Sequence, residues 1–436
     1  MATITTSDEL RLFNRTRVLS SLRSDGRQSR TRLCDSTGLS ASTVSQVTAD
    51  LIVDGVIERV TPEQPSNSGA INNRRGRPQV ILQLSSKAAT TAVLTLLLNE
   101  LEVTLYDYCG KVMQSGSKRV KTSSMSVGAL EKYLFNLLDN ALSSSNCSVD
   151  TLQHITLVCQ GTVTRDNSGL MWSPITRLKN VDLRGMLQDR YKAAVTVAND
   201  CKMMAHAIYY ERRDHQRRDT DLQASATAMQ HTADDNFAVL LSSFGIGLAY
   251  FHHGDILTGS QSSGTEFGHM LFKAGGALCR CGRRGCIEAY ASEYAIWRKA
   301  SALAPDTEPT DFVPEEDFRK MIEEARQKPG LARDAFEEAG AAIGQGLSNL
   351  FAIFDPFPAM LVGVESDAFR LMEESLLKHL QHYGDNQEGG SVLVYDRSTE
   401  RDLIRNGACM NSLSYIDENV FGFGSGSEKV QGTAVR

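Results

Sequence analysis

The chain has 436 residues, of which 41% are hydrophobic, and a formal net charge of −6. At roughly 150 residues per domain this length predicts two to three domains, and the apolar content excludes a disordered or fibrous chain. No stretch approaches the roughly 18 uninterrupted apolar residues of a membrane span, and the N-terminus lacks the pattern of a secretory signal. We therefore expect a cytoplasmic protein that does not associate with membranes.

Charge is distributed unevenly along the chain. Residues 1–80 contain eleven Arg, no Lys and eight Asp or Glu, a net charge of +3, so the remaining 356 residues carry −9. The overall negative charge argues against a chain coated with nucleic acid. It leaves open that the basic N-terminal part alone binds nucleic acid.

The first 55 residues predict three short helices. Apolar residues at helical spacing indicate a helix over about 9–23. A second helix follows Ser29 and stops at Gly38, and a third follows Ser40, a good N-cap, and stops at Gly55. Three short helices with a glycine turn between the last two are typical of a helix-turn-helix.

The third helix separates apolar from polar side chains. Val44, Val47 and Leu51 fall on one inward face, whereas short hydrogen-bonding side chains point outward. Such side chains near a helix N-terminus suit the floor of a DNA major groove, although an ordinary solvent-facing helix has a similar composition. The candidate DNA-contacting residues on this helix are Ser42, Thr43 and Gln46.

A predicted hairpin follows, with strands over 56–60 and 80–84 and a polar loop between them. The loop ends in Arg-Arg-Gly-Arg-Pro, a composition that suits a narrow minor groove, although an exposed linker is the alternative. A hairpin after a helix-turn-helix is a wing, so we expect a winged helix-turn-helix DNA-binding domain over 1–84. Its wing contacts with DNA are predicted at Arg74, Arg75 and Arg77.

Residues 85–436 show the alternating strands and helices of an α/β domain. One segment, 211–235, has almost no apolar periodicity and indicates a mobile surface insertion without regular structure. The predicted strands are 93–98, 101–108, 154–158, 194–198, 237–242 and 359–364.

The cysteines give the most specific motif. Three of the nine lie within eight residues in the pattern C-x-C-G-x-x-G-C, and a histidine stands ten residues before the first. Four soft or borderline ligands can close a tetrahedral zinc site with no open position, and such closed sites are structural. Free thiols in a loop are the weaker alternative, because two glycines allow the chain to wrap around one ion. We expect one structural zinc per chain, with ligands His269, Cys279, Cys281 and Cys286.

Over nearly its whole length the chain resembles the ROK family of repressors, open reading frames and sugar kinases. The resemblance is carried by the winged N-terminal segment, Asn199-Asp200, Glu266-Phe267-Gly268-His269, the cysteine motif ending in Glu288, and the helix and strand over 347–364. It implies a two-lobed actin-like or hexokinase-like α/β body, the same four zinc ligands, and a sugar between the lobes. The sugar-binding residues that it implies are Gly161, Asn199, Asp200, Glu266, His269 and Glu288.

The chain departs from the kinases of that family at both phosphate-binding turns. Their D-x-G-G-T turn matches Thr-Leu-Leu-Leu-Asn at 95–99, and their G-T-G-x-G turn matches Ser-Phe-Gly-Ile-Gly at 243–247. Phosphoryl transfer depends on holding phosphate, so we expect no enzyme activity and assign no catalytic residue. The loop that touches the sugar in the family's kinases has the sequence S-P-N-L, and here it is Ser-Pro-Ile-Thr at 173–176, so the resemblance does not imply glucose as the ligand.

These features together predict a sequence-specific transcriptional regulator, a repressor of sugar uptake or catabolism genes. We expect it to bind a double-stranded operator as a homodimer or homotetramer and to respond to a sugar or sugar-phosphate effector. Two alternatives remain open. One is an ATP-dependent sugar kinase with an added DNA-binding domain, and the other is a body that senses a protein partner.

Overall fold

The computed structural model describes most of the chain. The described residues are 7–60, 80–145, 147–219, 236–260, 264–310, 312–380, 392–394 and 400–422. None of the helices in these ranges combines the length and the apolar character that crossing a membrane requires.

Three helices form the N-terminal head, which we define as residues 7–60 and 80–84. They are α1 (Ser7–Asp25), α2 (Arg30–Thr37) and α3 (Ala41–Val53). The side chain of Ser40 caps α3 by accepting a hydrogen bond from the Thr43 amide, as its position predicts. The predicted inward face of α3 is confirmed, because Val44, Val47 and Leu51 are buried.

A three-stranded antiparallel sheet completes the head. Its strands are β1 (Gln28–Ser29), β2 (Ile57–Val60) and β3 (Ile81–Leu84), in the order β1-β3-β2. The pairing of β2 with β3 confirms the predicted hairpin. The loop of the wing, with Arg74, Arg75 and Arg77, lies outside the described residues.

The first lobe of the body is built on a five-stranded sheet in the order β11-β7-β4-β5-β6, with a small sheet β10-β9-β8 beside it. Its elements are β4 (Thr90–Leu97), β5 (Glu100–Asp107), β6 (Val112–Arg119), α4 (Val127–Ser144), β7 (Leu152–Cys159), β8 (Thr162–Val163), β9 (Gly169–Trp172), β10 (Val181–Asp182), α5 (Leu183–Tyr191) and β11 (Ala194–Asn199).

The second lobe is built on another five-stranded sheet, in the order β14-β13-β12-β15-β16. Its elements are β12 (Phe237–Ser242), β13 (Ile246–His252), β14 (Asp255–Ile256), α7 (Glu288–Ala291), α8 (Glu293–Ala300), α9 (Glu315–Gln327), α10 (Leu331–Phe354), β15 (Ala359–Val362), α11 (Ser366–Leu380) and β16 (Val392–Val394).

Two long helices, α6 (Asp200–Asp219) and α12 (Glu400–Asn419), pack against each other between the lobes. Helix α12 contacts β4 and β7 of the first sheet, and α6 contacts β12 and β13 of the second. Their close approach requires a glycine, because a Cβ at Gly407 would lie 1.7 Å from the carbonyl oxygen of Met203. The two helices therefore connect the lobes through a tightly packed contact.

The predicted strands of the body are all present, with ends shifted by at most three residues. The prediction for 211–235 is wrong in its first part, because α6 continues as a helix to Asp219. Arg, Glu and Gln have high helix propensity, so this polar stretch can be helical without an apolar stripe. Residues 220–235 lie outside the described part of the chain.

Candidate functional site

A cleft between the two lobes contains all six residues that were expected to bind sugar. Its empty space, counted out to the open mouth, is about 700 Å³. The turn after β7, the start of α6, the turn between β12 and β13, and the start of α7 all contribute to its walls. The six residues are Gly161, Asn199, Asp200, Glu266, His269 and Glu288.

Asn199 and Asp200 stand where β11 ends and α6 begins. The Asn199 side-chain amide donates to the Gly161 carbonyl at 3.0 Å and to Asp200 Oδ1 at 2.9 Å, and the Cys201 amide donates to the same carboxylate oxygen at 2.9 Å. Asp200 is only 4% exposed, and burial raises its pKa to about 6. At neutral pH the carboxylate is therefore mainly ionised and able to accept a hydrogen bond from a ligand hydroxyl.

Gly161 can be only a glycine at its place in the cleft. Its φ is 139°, and a Cβ there would lie 2.3 Å from the carbonyl oxygen of Trp172. The absent side chain lets the first-lobe backbone approach the small sheet that forms one wall of the cleft.

Glu266 belongs to the more open side of the cleft, where its side chain is 48% exposed. The Thr162 hydroxyl donates to Glu266 Oε1 at 2.8 Å, and His269 Nε2 lies 3.8 Å from Glu266 Oε2. Glu266 thus presents a carboxylate to the cleft from a position that a hydroxyl and an imidazole define.

Glu288, the first residue of α7, is 3% exposed and connects the cleft with the cysteine cluster. Its Oε2 accepts a hydrogen bond from the Ile246 amide at 3.4 Å, and its Oε1 accepts one from the Tyr294 hydroxyl at 3.3 Å. Cys279 Sγ lies 3.6 Å from the same Oε1. Glu288 therefore brings the walls of the cleft and the cysteine cluster into direct contact.

Four side chains converge in a cluster that could hold a metal ion. The ligand atoms of His269, Cys279, Cys281 and Cys286 all lie within 4.8 Å of one another. Cys281 Sγ is 3.8 Å from Cys286 Sγ, and Cys279 Sγ is 3.7 Å from His269 Nδ1. In a tetrahedral zinc site with Zn–S bonds of about 2.3 Å, neighbouring sulfurs are about 3.8 Å apart. The four residues therefore fit the coordination geometry of zinc.

The turn at residues 95–99, matched to the first phosphate turn of the kinases, is closed by side chains of this chain. Strand β4 ends at Leu97 and β5 begins at Glu100, so Leu98 and Asn99 form the turn. The Leu98 amide donates to Gln160 Oε1 at 2.8 Å, and the Asn99 amide donates to Thr122 Oγ1 at 3.2 Å. Both turn amides are already paired with the protein and do not point to a phosphate.

The second matched turn, between β12 and β13, holds a buried aromatic ring. Phe244 stacks on Phe312 at a centroid distance of 6.4 Å, and the Arg280 guanidinium lies 5.0 Å from the centre of the Phe244 ring. Arg280 also donates to the Phe244 carbonyl at 3.3 Å. The turn is therefore fixed by the packing of Phe244 against two residues from other parts of the chain, Phe312 and Arg280.

Several residues of the cleft carry no motif in the sequence. Trp172 lies opposite Thr162 in the pairing of β8 with β9 and packs edge-to-face on His269 at 5.9 Å. A tryptophan directly before a Ser-Pro turn is the one signal that could have indicated it. The residues lining the cleft without a predicted role include Gln160, Thr162, Trp172 and Arg280, whereas Pro174 and Ile175 belong to the segment matched to the sugar-contacting loop.

The three candidate DNA-contacting residues on α3 differ in how exposed their side chains are. Ser42 and Gln46 are exposed and Thr43 is half-buried. Ser40 Oγ lies 2.8 Å from the hydroxyl oxygens of both Ser42 and Thr43, so both hydroxyls belong to the cap of the helix. Gln46 is the longest side chain of the three on the exposed face.

Both parts of the chain, the head and the body, are similar to known proteins. A model of winged helix-turn-helix DNA-binding domains matches residues 14–58, and a model of the ROK family matches residues 99–403. The xylose repressor of Bacillus subtilis is 22% identical over 333 residues, which cover 76% of this chain and 77% of that protein. The DNA-binding transcriptional dual regulator NagC of Escherichia coli is 22% identical over 346 residues, 79% of this chain and 78% of that protein.

Solved structures show the same fold. A ROK family transcriptional regulator homologous to the Escherichia coli MLC protein superposes with a TM-score of 0.72 at 19% identity, over 96% of this chain and 100% of that one. A ROK family glucokinase from Streptomyces griseus, in complex with glucose and AMPPNP, superposes with a TM-score of 0.55 at 20% identity, over 74% of this chain and 99% of that one. A winged helix-turn-helix head thus precedes a two-lobed actin-like or hexokinase-like body, and the chain belongs to the ROK family.

Proposed function

We propose that this protein is a sugar-responsive transcriptional regulator that represses genes of sugar uptake or catabolism. Residues 1–84 bind a double-stranded operator, and residues 85–436 bind a sugar or sugar-phosphate effector. The observation that carries the proposal is that one chain combines a cleft lined by side chains able to bind hydroxyls with a winged helix-turn-helix head. The names of the xylose repressor and of NagC support the same function.

The cleft suits sugar hydroxyls because each hydroxyl both donates and accepts hydrogen bonds. Carboxylates at Asp200, Glu266 and Glu288 accept, and the Asn199 amide and the His269 ring add further polar groups. An effector that prefers one arrangement of the lobes over the other shifts the population of that arrangement. In a homodimer or homotetramer, this shift changes the distance between two heads that must reach half-sites about 34 Å apart.

Kinase activity is the alternative function, since ROK kinases are among the structural neighbours. It requires phosphate to be held in place, because phosphoryl transfer depends on positioning and on neutralising charge. In this chain the amides of Leu98 and Asn99 are paired with side chains, and Phe244 fills the second turn. These contacts support binding of sugar without its phosphorylation.

The cysteine cluster fits a structural zinc ion, one per chain, because four protein ligands leave no position open for a substrate. His269 would bind the ion through Nδ1, the nitrogen that faces Cys279, while its Nε2 faces Glu266. A bound zinc would hold the segment between His269 and Cys286 in shape. Glu266 and Glu288, which flank that segment, would thereby be kept in place in the cleft.

Substitution of Gln46 by Ala should change the preferred base at one operator position by roughly 1–3 kcal/mol, because a side chain that hydrogen-bonds a base edge discriminates between bases. The measurement is selection of binding sites from a random DNA library by wild-type and variant proteins.

The proposed function as a whole is tested with the duplex selected by the wild type. One sugar from a panel of monosaccharides and sugar phosphates should release the protein from this duplex.

Arg75→Ala and Arg77→Ala serve as the comparison, since these residues are expected to contact phosphate and the minor groove. Each should weaken binding to most sequences and lower the slope of log K against log salt by up to about one unit per lost contact. Equal, sequence-independent effects of the Gln46 and Arg variants would show that α3 does not contact bases.

Sugar affinity should depend on the ionisation of Asp200. Because its pKa is raised to about 6, the carboxylate is mostly ionised at pH 7 and mostly protonated at pH 5. If the ionised form binds the sugar, affinity should fall about tenfold from pH 7 to pH 5. Without sugar, the stability of the fold depends on pH in the opposite direction. Because the pKa of Asp200 is higher in the folded protein than in the unfolded chain, the free energy of unfolding decreases as the pH rises from about 4 to 6.

The pH effect can be followed by titrating the protein with the sugar that raises its melting temperature most in the panel. Trp172 lies in the cleft, so its fluorescence reports binding, and Trp297→Phe removes the only other tryptophan. Asp200→Asn should abolish most of the pH dependence. A tenfold change that persists in this variant would place the titrating group elsewhere.

A further inference from the structure

The head is held against the body by a buried ionic cluster. Arg23 of α1 donates from Nε to Asp417 Oδ2 at 2.9 Å and from Nη2 to Asp417 Oδ1 at 2.7 Å, a bidentate pair with the last turns of α12. The side chains of Arg23 and Asp417 are only 8% and 6% exposed. Two residues 394 positions apart therefore join the two parts of the protein by a desolvated salt bridge.

Tyr108, which follows β5, completes this cluster. Its hydroxyl donates to Asp417 Oδ1 at 2.5 Å, and its carbonyl accepts a hydrogen bond from Arg23 Nη1 at 2.8 Å. The Arg23 guanidinium also lies 4.7 Å from the centre of the Tyr108 ring. All three nitrogens of the Arg23 guanidinium thus bind to the body. The bidentate pair with Asp417 allows the guanidinium little change in orientation.

A second contact between the head and the body is made by Arg15, eight residues before Arg23 on α1. Arg15 donates from Nε to the Phe421 carbonyl at 2.6 Å and from Nη2 to Asp54 at 2.7 Å. Phe421 in turn packs edge-to-face on Tyr108 at 5.1 Å. Two buried arginines on the same helix therefore define both the position and the rotation of the head relative to the end of α12.

Helix α12 is itself fixed to the body. Ser412 Oγ lies 2.9 Å from His154 Nδ1 and 2.7 Å from Thr156 Oγ1, both on β7. Further toward its N-terminus, α12 packs on α6 at Gly407, and α6 begins at Asp200 in the cleft. The head is consequently attached to α12, which packs on a helix that begins at the cleft.

We infer that Arg23 and Asp417 are positioning residues for operator binding, holding each head at one orientation on α12. The inference rests on the proposed function, because it concerns how two heads of an oligomer engage two half-sites. A head with a fixed orientation binds the second half-site at high effective concentration, whereas a head that turns freely must be ordered on binding. The Arg23–Asp417 pair should therefore raise the affinity for an operator with two half-sites and leave the affinity for a single half-site unchanged.

The test uses the full-length protein and two DNA duplexes. A two-half-site duplex is selected from a random library by the wild-type protein without sugar, and a second duplex keeps only one half-site. Arg23→Gln and Asp417→Asn should each weaken binding to the two-half-site duplex by about tenfold or more and change binding to one half-site by less than about twofold. Arg326→Gln is the matched control, because it breaks the exposed Arg326–Asp367 pair within the body, and it should bind both duplexes like the wild type.

A single variant leaves one buried charge without its partner and could fold poorly. The double variant Arg23→Gln with Asp417→Asn removes both charges, and its melting temperature and its affinity for one half-site show whether the head is intact. With an intact head, loss of binding to the two-half-site duplex alone supports the inference. Equal loss on both duplexes, or no loss on either, overturns it. Selection of no specific duplex by the wild type would instead refute the proposed function, before any variant is measured.

Discussion

Cys281→Ser should abolish metal binding and lower the melting temperature of the protein. The wild type is expected to hold about one zinc per chain, because four ligands converge with the spacing of a tetrahedral site. A serine hydroxyl is a poor replacement for a thiolate ligand, and binding of a structural zinc ion contributes directly to folding free energy. A loss of about 3 kcal/mol would lower the melting temperature by several degrees, because the shift per kcal/mol is only roughly 2–4 °C or less in domains of more than about 150 residues.

Elemental analysis and calorimetry of the purified variant measure the two effects separately. Cys109→Ser is the matched control, since Cys109 is exposed and lies outside the cluster, and this variant should keep both the metal and the melting temperature. Full metal occupancy in Cys281→Ser would show that the cluster is not the metal site. Loss of metal with unchanged stability would show that the ion is not structural.

Features determined by neighbouring residues could be predicted from the sequence. The caps of α2 and α3 and the inward face of α3 depend on residues within one or two turns, and all three were expected. The cysteine cluster is equally local, since its ligands span only residues 269–286. Polar side chains that define the cleft were found through a family resemblance, because Asn199 and Glu288 carry no chemical signal of their own.

Contacts between distant parts of the chain could not be predicted in this way. No pattern relates Arg23 to Asp417, whose pairing depends on how α1 meets the end of α12. The course of α6 beyond residue 210 was missed because a solvated helix of Arg, Glu and Gln has no apolar stripe to detect. Pairing of the Leu98 and Asn99 amides with Gln160 and Thr122 likewise follows from tertiary structure.

Glu266→Ala should weaken sugar binding by roughly ten- to a hundredfold, because a hydrogen bond to a charged group contributes about 1.5–3 kcal/mol. Glu266 is suited to this test among the cleft carboxylates, since its side chain is half exposed and its partners in the cleft are two side chains, the Thr162 hydroxyl and the His269 ring. Asp200 and Glu288 are buried and hydrogen-bonded to the backbone, so their replacement by alanine would also disturb the fold. Affinity can be measured by calorimetric titration with the sugar identified in the panel.

The same variant distinguishes a sensor from an enzyme. Operator binding without sugar should be unchanged in Glu266→Ala, because α3 and the wing do not include this residue, and the regulated genes should remain repressed when sugar is added. Glu373→Ala, which removes an exposed glutamate of α11, should respond to sugar like the wild type. Normal induction of Glu266→Ala would place the effector site elsewhere. ATP-dependent phosphorylation of a sugar by the wild-type protein, at a rate of about 1–100 per second as in kinases, would overturn the assignment as a regulator without enzyme activity.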